Sequence, residues 1–234
     1  VDYVRSRNSL EVYKDTDYDL KSGEGGVRYA PGTGIEVDLV YRATSGEYKS
    51  AQRYGDDGSA LLCNNNCRKN DYDEDSLQAR VQYRPSEDSS LGGFVGYTRR
   101  DYDQGNRHFR GLTAGFDTEW AVSGAVQMRA SLGRSIEPDD DAVTGSYADT
   151  WSLNFSPTIQ ATGKITVEPY LRLYDRRYKG DQLAAGQVER KDKIYMVGAE
   201  ADYEFRRNMF LMASISREQR DSNRANLDYK ANVF

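Results

Sequence analysis

The sequence predicts an all-β fold, an antiparallel up-and-down transmembrane β-barrel with about 12 strands in the chain. Three observations predict it. Apolar and polar residues alternate over long segments, short turns alternate with long charged connections, and aromatic residues recur near the ends of the alternating segments. A helical membrane protein is excluded, because no apolar run approaches the roughly 20 residues that a spanning helix needs. The mean hydropathy of −0.82 is then an average over lipid-facing, lumen-facing and loop residues.

Seven segments show the two-residue period of a strand that is apolar on one face only. In the first, Ile35, Val37 and Leu39 alternate with Glu36 and Asp38. The apolar positions of the other six begin at Leu77, Leu112, Val126, Trp151, Ile165 and Tyr195. A tilted transmembrane strand needs about 9 to 11 residues with one apolar and one polar face. A soluble carbohydrate-binding β domain is the alternative, but its strands are about five or six residues long and need a second apolar layer.

The connections between these segments have two lengths, which predicts hairpins with short turns at one end of the sheet and long loops at the other. Short turns are predicted at 31–34, 86–89, 123–124, 162–163 and 206–208. Long charged connections are predicted at 16–24, 45–70, 101–107, 137–145, 175–190 and 221–225. Aromatic residues that match an interfacial girdle are Tyr41, Tyr83, Tyr97, Trp120, Trp151, Tyr203 and Phe205. With no linker in view, we predict a single outer-membrane β-barrel domain over residues 1–234, truncated at both ends.

Catalytic and metal-binding patterns are not predicted. His108 is the single histidine of the chain, so a nucleophile–His–acid triad would depend on it alone, and a zinc site would lack enough histidine and cysteine ligands. We therefore expect no enzyme, no cofactor and no metal. No nucleic-acid partner is expected. Cys63 and Cys67, separated by three asparagines, favour a local disulfide in an oxidising compartment, and two free loop thiols are the alternative.

Two sets of residues are candidates for function. Charged and aromatic residues on the polar face are predicted to line the lumen, which is either an open channel or is partly closed by loops. These are Glu36, Asp38, Arg42, Arg80, Arg84, Asp117, Glu119, Arg129, Glu168, Tyr170, Arg172, Tyr174, Glu200, Asp202 and Glu204. Arginines near the long loops form either an extracellular basic rim for lipopolysaccharide phosphates or an anionic polymer, or cross-strand pairs that hold the sheet. These are Arg99, Arg100, Arg134, Arg176, Arg177 and Arg220.

Several segments resemble the EpsL family, outer-membrane β-barrel proteins associated with exosortase/PEP-CTERM exopolysaccharide systems of Gram-negative bacteria. They are 5–12 (RSRNSLEV), 121–132 (AVSGAVQMRASL), 156–165 (SPTIQATGKI) and 217–223 (REQRDSN) followed by 228–230 (DYK). The resemblance covers most of residues 5–234. It implies that the chain is a partial view of a barrel with about 16 to 18 strands. The Cys63 and Cys67 loop is not part of this resemblance.

The resemblance implies a bacterial outer-membrane location and a non-enzymatic conduit or scaffold for exopolysaccharide biosynthesis or export. Expected partners are outer-membrane lipid, lipopolysaccharide and an anionic exopolysaccharide; the oligomeric state is left open. Two alternatives remain from the residues themselves. One is a general diffusion porin, and the other is a closed structural barrel that assembles or anchors surface material.

Overall fold

The structure is a computed structural model that describes residues 2–6, 17–32, 34–48, 71–103, 108–138, 147–179 and 188–233. These residues form twelve strands in one sheet, whose order along the sheet is the order along the chain, with every neighbouring pair antiparallel. The strands are β1 (Asp2–Ser6), β2 (Tyr18–Tyr29), β3 (Ile35–Tyr48), β4 (Tyr72–Ser86), β5 (Ser89–Tyr102), β6 (His108–Ser123), β7 (Val126–Pro138), β8 (Tyr147–Thr162), β9 (Ile165–Lys179), β10 (Lys191–Arg206), β11 (Met209–Ser222) and β12 (Tyr229–Val233). In the described part of the chain no helix is long and apolar enough to cross a membrane.

The predicted all-β meander and its short turns are confirmed. The turn between β2 and β3 shows why glycine is needed there: Gly34 has a φ of 74°, and a Cβ on it would lie 2.5 Å from the carbonyl oxygen of Arg84. That close approach allows the Arg84 amide to donate to the Gly34 carbonyl oxygen at 2.8 Å. The turn therefore links β2 and β3 to β4 by backbone contact.

The predicted long connections were wrong at their edges, because several strands extend into them. β2 includes residues that the sequence had assigned to the connection 16–24, and β9 continues to Lys179. Glycines interrupt the alternation of β2, and charged residues occupy both faces of the strands near the long loops. A strand without an apolar face has no two-residue hydrophobic signal, although its backbone ladder is intact.

The register separates apolar from polar residues between the two faces of the sheet, except near the long loops and on β11, where the exposed Met212 shares a face with Asp202. One face, which we call the belt face, carries the apolar member of each alternating pair; Leu39, Val95, Leu112 and Val197 are each more than half exposed on it. The opposite face, the inner wall, carries the charged and polar members, for example Asp38 paired with Arg80 and Glu119 paired with Arg129. Among the described strands, β1 pairs only with β2 and β12 only with β11. The described sheet is therefore an open section of barrel wall.

Aromatic residues bracket the apolar part of the belt face. Towards the long loops, Tyr97 and Trp151 are followed on the same face by charged residues, while Tyr83 and Trp120 lie at the short-turn ends of β4 and β6. Trp151 is 46% exposed. Aromatic side chains at both edges of an apolar band are typical of barrels that sit in a bilayer.

We expect both tryptophans to contact lipid near the two membrane interfaces. In proteoliposomes containing the single-tryptophan variants Trp120→Phe and Trp151→Phe, lipids brominated near the glycerol end of the acyl chains should quench fluorescence more than lipids brominated near the methyl end. Equal and weak quenching by both lipids, at the level seen for the unfolded chain in urea, would show that this face does not contact the bilayer.

Candidate functional site

The inner wall brings together the residues that the sequence predicted to line a lumen. In the register of the sheet, Asp38 on β3 is opposite Arg80 on β4, and near the other edge of the sheet Glu168 on β9 is opposite Glu200 on β10. These residues all lie on the same face. All the predicted lumen residues lie on this inner wall; their role as the lining of an open lumen stays a prediction. Because the antiparallel register preserves the side of each residue, the face assignment of one strand determines that of its neighbours.

Most charges on β2 to β4 of the inner wall are paired with each other. Glu24 accepts hydrogen bonds from Arg42 at 2.6 Å and from Arg80 at 3.1 Å. Arg28 binds Asp38 through two contacts of 2.8 and 3.0 Å. Glu24 and Arg28 were missed by the sequence reasoning, since the glycines of β2 hide its alternation. A search for residues of opposite charge that could pair with Arg42 and Asp38 on a neighbouring strand would have identified Glu24 and Arg28.

A different pattern runs along the inner wall of β9. Every second residue from Tyr170 to Tyr178 faces this wall, so that tyrosine and arginine alternate; we call these five residues the Tyr–Arg row. The guanidinium carbon of Arg172 lies 4.6 Å from the ring centre of Tyr170, and that of Arg176 lies 5.4 Å from the ring centre of Tyr174. Both distances are within the range of cation–π attraction.

Below the Tyr–Arg row, towards the short turns, the inner wall is acidic. Glu168 and Glu200 are direct neighbours across β9 and β10, and Asp202 and Glu204 follow on the same face. In the described part of the chain none of these four carboxylates lies within ion-pair distance of a basic side chain. Thr158 donates a hydrogen bond to Glu168 at 3.2 Å. Like charges in this arrangement attract cations from solution.

The inner wall is packed towards the long loops and accessible towards the short turns. Tyr72, Tyr102 and Phe109 are buried in one cluster, with the rings of Tyr72 and Tyr102 5.8 Å apart. Arg100 is buried beside them and binds Glu74 at 2.7 Å. Farther along, Asp192 and Arg190 form a fully buried ion pair. The accessible part of the inner wall therefore lies in the half nearer the short turns.

The predicted basic rim is divided between the two faces. Strand alternation puts Arg99, Arg134 and Arg177 on the belt face and Arg100, Arg176 and Arg220 on the inner wall. Each has a carboxylate within ion-pair distance, and the contact of Arg134 with Asp149 has two bonds of 2.9 Å. The pairs of Arg100, Arg134 and Arg220 join neighbouring strands, as the cross-strand alternative requires, whereas Arg99 and Arg177 each pair with a carboxylate two residues away on the same strand. The contact with lipopolysaccharide stays a prediction.

The predicted disulfide of Cys63 and Cys67 lies outside the described residues. Within the described ranges no three side chains of His, Cys, Asp or Glu are grouped so that they could hold a metal ion. His108 is the first residue of β6 and is exposed.

Comparison with known proteins identifies the class of barrel. The family described as "Putative beta-barrel porin 2" matches residues 91–234. The chain belongs to this porin family. The family places it in the bacterial outer membrane, as predicted from the alternation and the resemblance. No curated protein matches the chain.

Solved outer-membrane proteins share the fold of this porin-family chain. The copper transporter OprC matches with a TM-score of 0.56 and 10% identity over 92% of the chain. The alcaligin outer-membrane receptor FauA of Bordetella pertussis matches with a TM-score of 0.54 and 14% identity over 88% of the chain. The ferric-catecholate import receptor Fiu of E. coli K12 matches with 0.53 and 8% over 89%. The chain spans only 38%, 39% and 39% of these three proteins, respectively.

Proposed function

We propose that this porin-family chain forms the wall of a passive, non-enzymatic conduit or scaffold for exopolysaccharide biosynthesis or export across the outer membrane. The observation that carries the proposal is the separation of faces: the belt face is apolar where it would meet lipid, and the inner wall is charged or polar along the same strands. A hydrophilic polymer needs such a path, because lipid offers no hydrogen bonds to its hydroxyl groups. Passive movement requires no catalytic group.

The exopolysaccharide part of the proposal is supported by the EpsL resemblance and by the inner wall of β8. Ser152, Asn154 and Ser156 face the inner wall beside the Tyr–Arg row. Hydroxyl and amide groups both donate and accept hydrogen bonds, which suits the hydroxyl groups of sugars. A wall of this kind can exchange hydrogen bonds with a passing polymer without holding it permanently.

The proposal also includes lipopolysaccharide as a partner of the belt face. Arg99 and Arg177 face outward beyond the apolar belt, and about half of each side chain is exposed. Guanidinium groups form paired hydrogen bonds with phosphate oxygens. Their present partners, Asp101 and Asp175, leave part of each guanidinium accessible to the phosphates of the outer leaflet.

Conductance of the full-length protein in planar bilayers tests the conduit. We expect stepwise ion conductance and a concentration-dependent reduction of current when purified exopolysaccharide from a Gram-negative exosortase strain is added on one side. A pore of unchanged current in the presence of the polymer would contradict the exopolysaccharide role and identify a general diffusion porin. The unpaired carboxylates of β9 and β10 favour that second candidate if the pore also prefers cations. A barrel that oligomerises and does not conduct would contradict both and leave the structural barrel.

A further inference from the structure

We propose that the accessible part of the Tyr–Arg row, Tyr170 to Arg176 on β9, is a binding track for a polysaccharide that carries anionic groups. The track includes the hydroxyl and amide side chains of β8 beside it. This inference rests on the proposed function and specifies which part of the inner wall contacts the polymer and which chemical class of polymer it takes.

The spacing of the row suits an extended polymer. Alternate residues of a strand are about 6.6 Å apart along it, so Tyr170 and Arg176 are separated by roughly 20 Å. Four side chains of two alternating kinds thus face the interior over a length that several linked sugar rings would cover. The fifth residue of the row, Tyr178, is excluded from the track, because it is buried under the guanidinium of Arg190.

The tyrosines supply flat apolar surfaces with a polar edge. The ring of Tyr170 lies over Gly198 on β10, where a Cβ would come within 2.6 Å of the ring carbon Cζ. Gly198 therefore leaves the space in which the ring lies against the sheet. The C–H groups of a sugar ring pack on the part of the ring that neither the sheet nor the guanidinium of Arg172 covers, which removes apolar area of both partners from water. Tyr174 is similarly half-buried and its hydroxyl donates to Asn154 at 3.5 Å.

Arg172 provides the reason to expect an anionic polymer. It is exposed, and of the inward-facing arginines in the described ranges it is the one that has no carboxylate within 4.0 Å. Tyr170 holds the guanidinium in place by the cation–π contact without consuming its hydrogen-bond donors. A fixed guanidinium with unused donors binds a carboxylate, phosphate or sulfate substituent through paired hydrogen bonds. Arg176, by contrast, shares its charge with Glu137 at 3.4 Å.

The neighbours of the row fit the same ligand. On β8, Asn154 lies opposite Arg172 and Ser152 opposite Tyr174. Asn154 donates to Ser131 at 3.1 Å, which fixes its amide beside the guanidinium. The track ends at the acidic residues Glu168 and Glu200, because their negative charges repel the anionic groups of the polymer.

Calorimetric titration of the detergent-solubilised full-length protein tests the track, with hexagalacturonate as the anionic probe and maltohexaose as the neutral one. We expect hexagalacturonate to bind at least about tenfold more tightly, since charge-assisted hydrogen bonds are stronger than neutral ones. Arg172→Gln should lower the affinity for hexagalacturonate about tenfold or more and leave that for maltohexaose unchanged. Tyr170→Leu should lower both affinities. Arg217→Gln is the matched control, because Arg217 is an exposed arginine of the belt face.

The outcomes separate this inference from the proposed function. Equal affinities for the two probes, with no effect of Arg172→Gln, would overturn the anionic track and leave the conduit intact. Reduced pore current in the presence of exopolysaccharide, together with unchanged binding in both track variants, would show that the polymer contacts another part of the wall. If Arg217→Gln lowers the affinity for hexagalacturonate as much as Arg172→Gln does, the effect comes from the net charge of the protein and not from a site at Arg172. This outcome would also overturn the track.

Discussion

We expect Arg190→Met to lower the free energy of unfolding by about 3 kcal/mol, because it removes the hydrogen-bonded counter-ion of the buried Asp192 carboxylate. The side chains of Arg190 and Asp192 are 1% and 0% exposed. Arg190 donates from Nε at 2.9 Å and from Nη2 at 2.6 Å to the same oxygen, Oδ2 of Asp192. Two partners of Asp192 remain in the variant: Ser222 donates to the other oxygen at 2.7 Å, and Nε of Arg220 lies 3.9 Å from Oδ2. A neutral hydrogen bond and a cation beyond hydrogen-bond distance do not replace the two short bonds of Arg190.

Urea unfolding of the full-length protein from lipid vesicles, followed by tryptophan fluorescence, measures this loss. Arg177→Met is the matched control: Arg177 is also paired with a carboxylate at the long-loop end, Asp175 at 3.5 Å, but half of its side chain is exposed. Exposed pairs contribute about 0–1 kcal/mol. The double variant Arg190→Met, Asp192→Leu should recover part of the stability, since the buried carboxylate is removed together with Arg190, while Arg220 loses its carboxylate at 3.9 Å. A loss in Arg190→Met no larger than in Arg177→Met would contradict the role of this pair.

Neither member of this pair was among the sequence-predicted residues, for a physical reason. Arg190 lies in the predicted connection 175–190, and Asp192 is the second residue of β10, whose first residues have no apolar alternation. Burial at this place depends on neighbours that are distant in sequence: Tyr178 lies under the guanidinium and Ser222 donates to the carboxylate. A local pattern contains no information about such contacts.

The faces of the sheet were predictable and the partners on each face were not. A two-residue period assigns the side of each residue, and the antiparallel register carries the assignment from strand to strand. The two-residue period also argues against the rim as it was predicted. Arg99 and Arg100 are adjacent in one strand, so their side chains must lie on opposite faces of the sheet. Which charges meet depends on the register that each turn sets, as in the contact of Glu24 with both Arg42 and Arg80 across three strands.

The accessible and packed halves of the inner wall also required the structure. Tyr72 and Tyr102 were predicted neither as core nor as lining, although both lie on the inner wall near the long loops. In a membrane barrel, apolar residues on the lumen side break the simple pattern of apolar outside and polar inside. An aromatic residue on the polar face near the long loops is thus a sign of packing within the barrel rather than of contact with lipid.

The second large effect is expected on the belt face of β4, where Val81→Arg should cost about 1–3 kcal/mol of folding free energy in a bilayer, since the cost is largest at the midplane and falls towards the interfaces. Val81 is 47% exposed on the belt face and lies between Val37 of β3 and Gly93 of β5. It is two residues from Tyr83 at the short-turn edge of the apolar belt, and Leu77 lies four residues away on its other side. An arginine there must either carry its charge into the hydrocarbon or bend to reach the interface, and both lower stability.

The adjacent residue, Gln82, provides the control, because it lies at nearly the same depth in the membrane as Val81 but on the opposite face of the sheet. Gln82 faces the inner wall and lies opposite Glu36 of β3, so Gln82→Arg places the same charge beside a carboxylate and away from lipid. We expect its folding free energy in vesicles to stay within about 0.5 kcal/mol of the parent protein. In detergent micelles, which adapt to the surface, the difference between the two variants should shrink. Equal losses of folding free energy for Val81→Arg and Gln82→Arg in vesicles would show that the belt face of β4 does not contact the lipid. The assignment of a lipid side and a lumen side to the whole sheet would then fail as well, because the register relates the faces of every strand to those of β4.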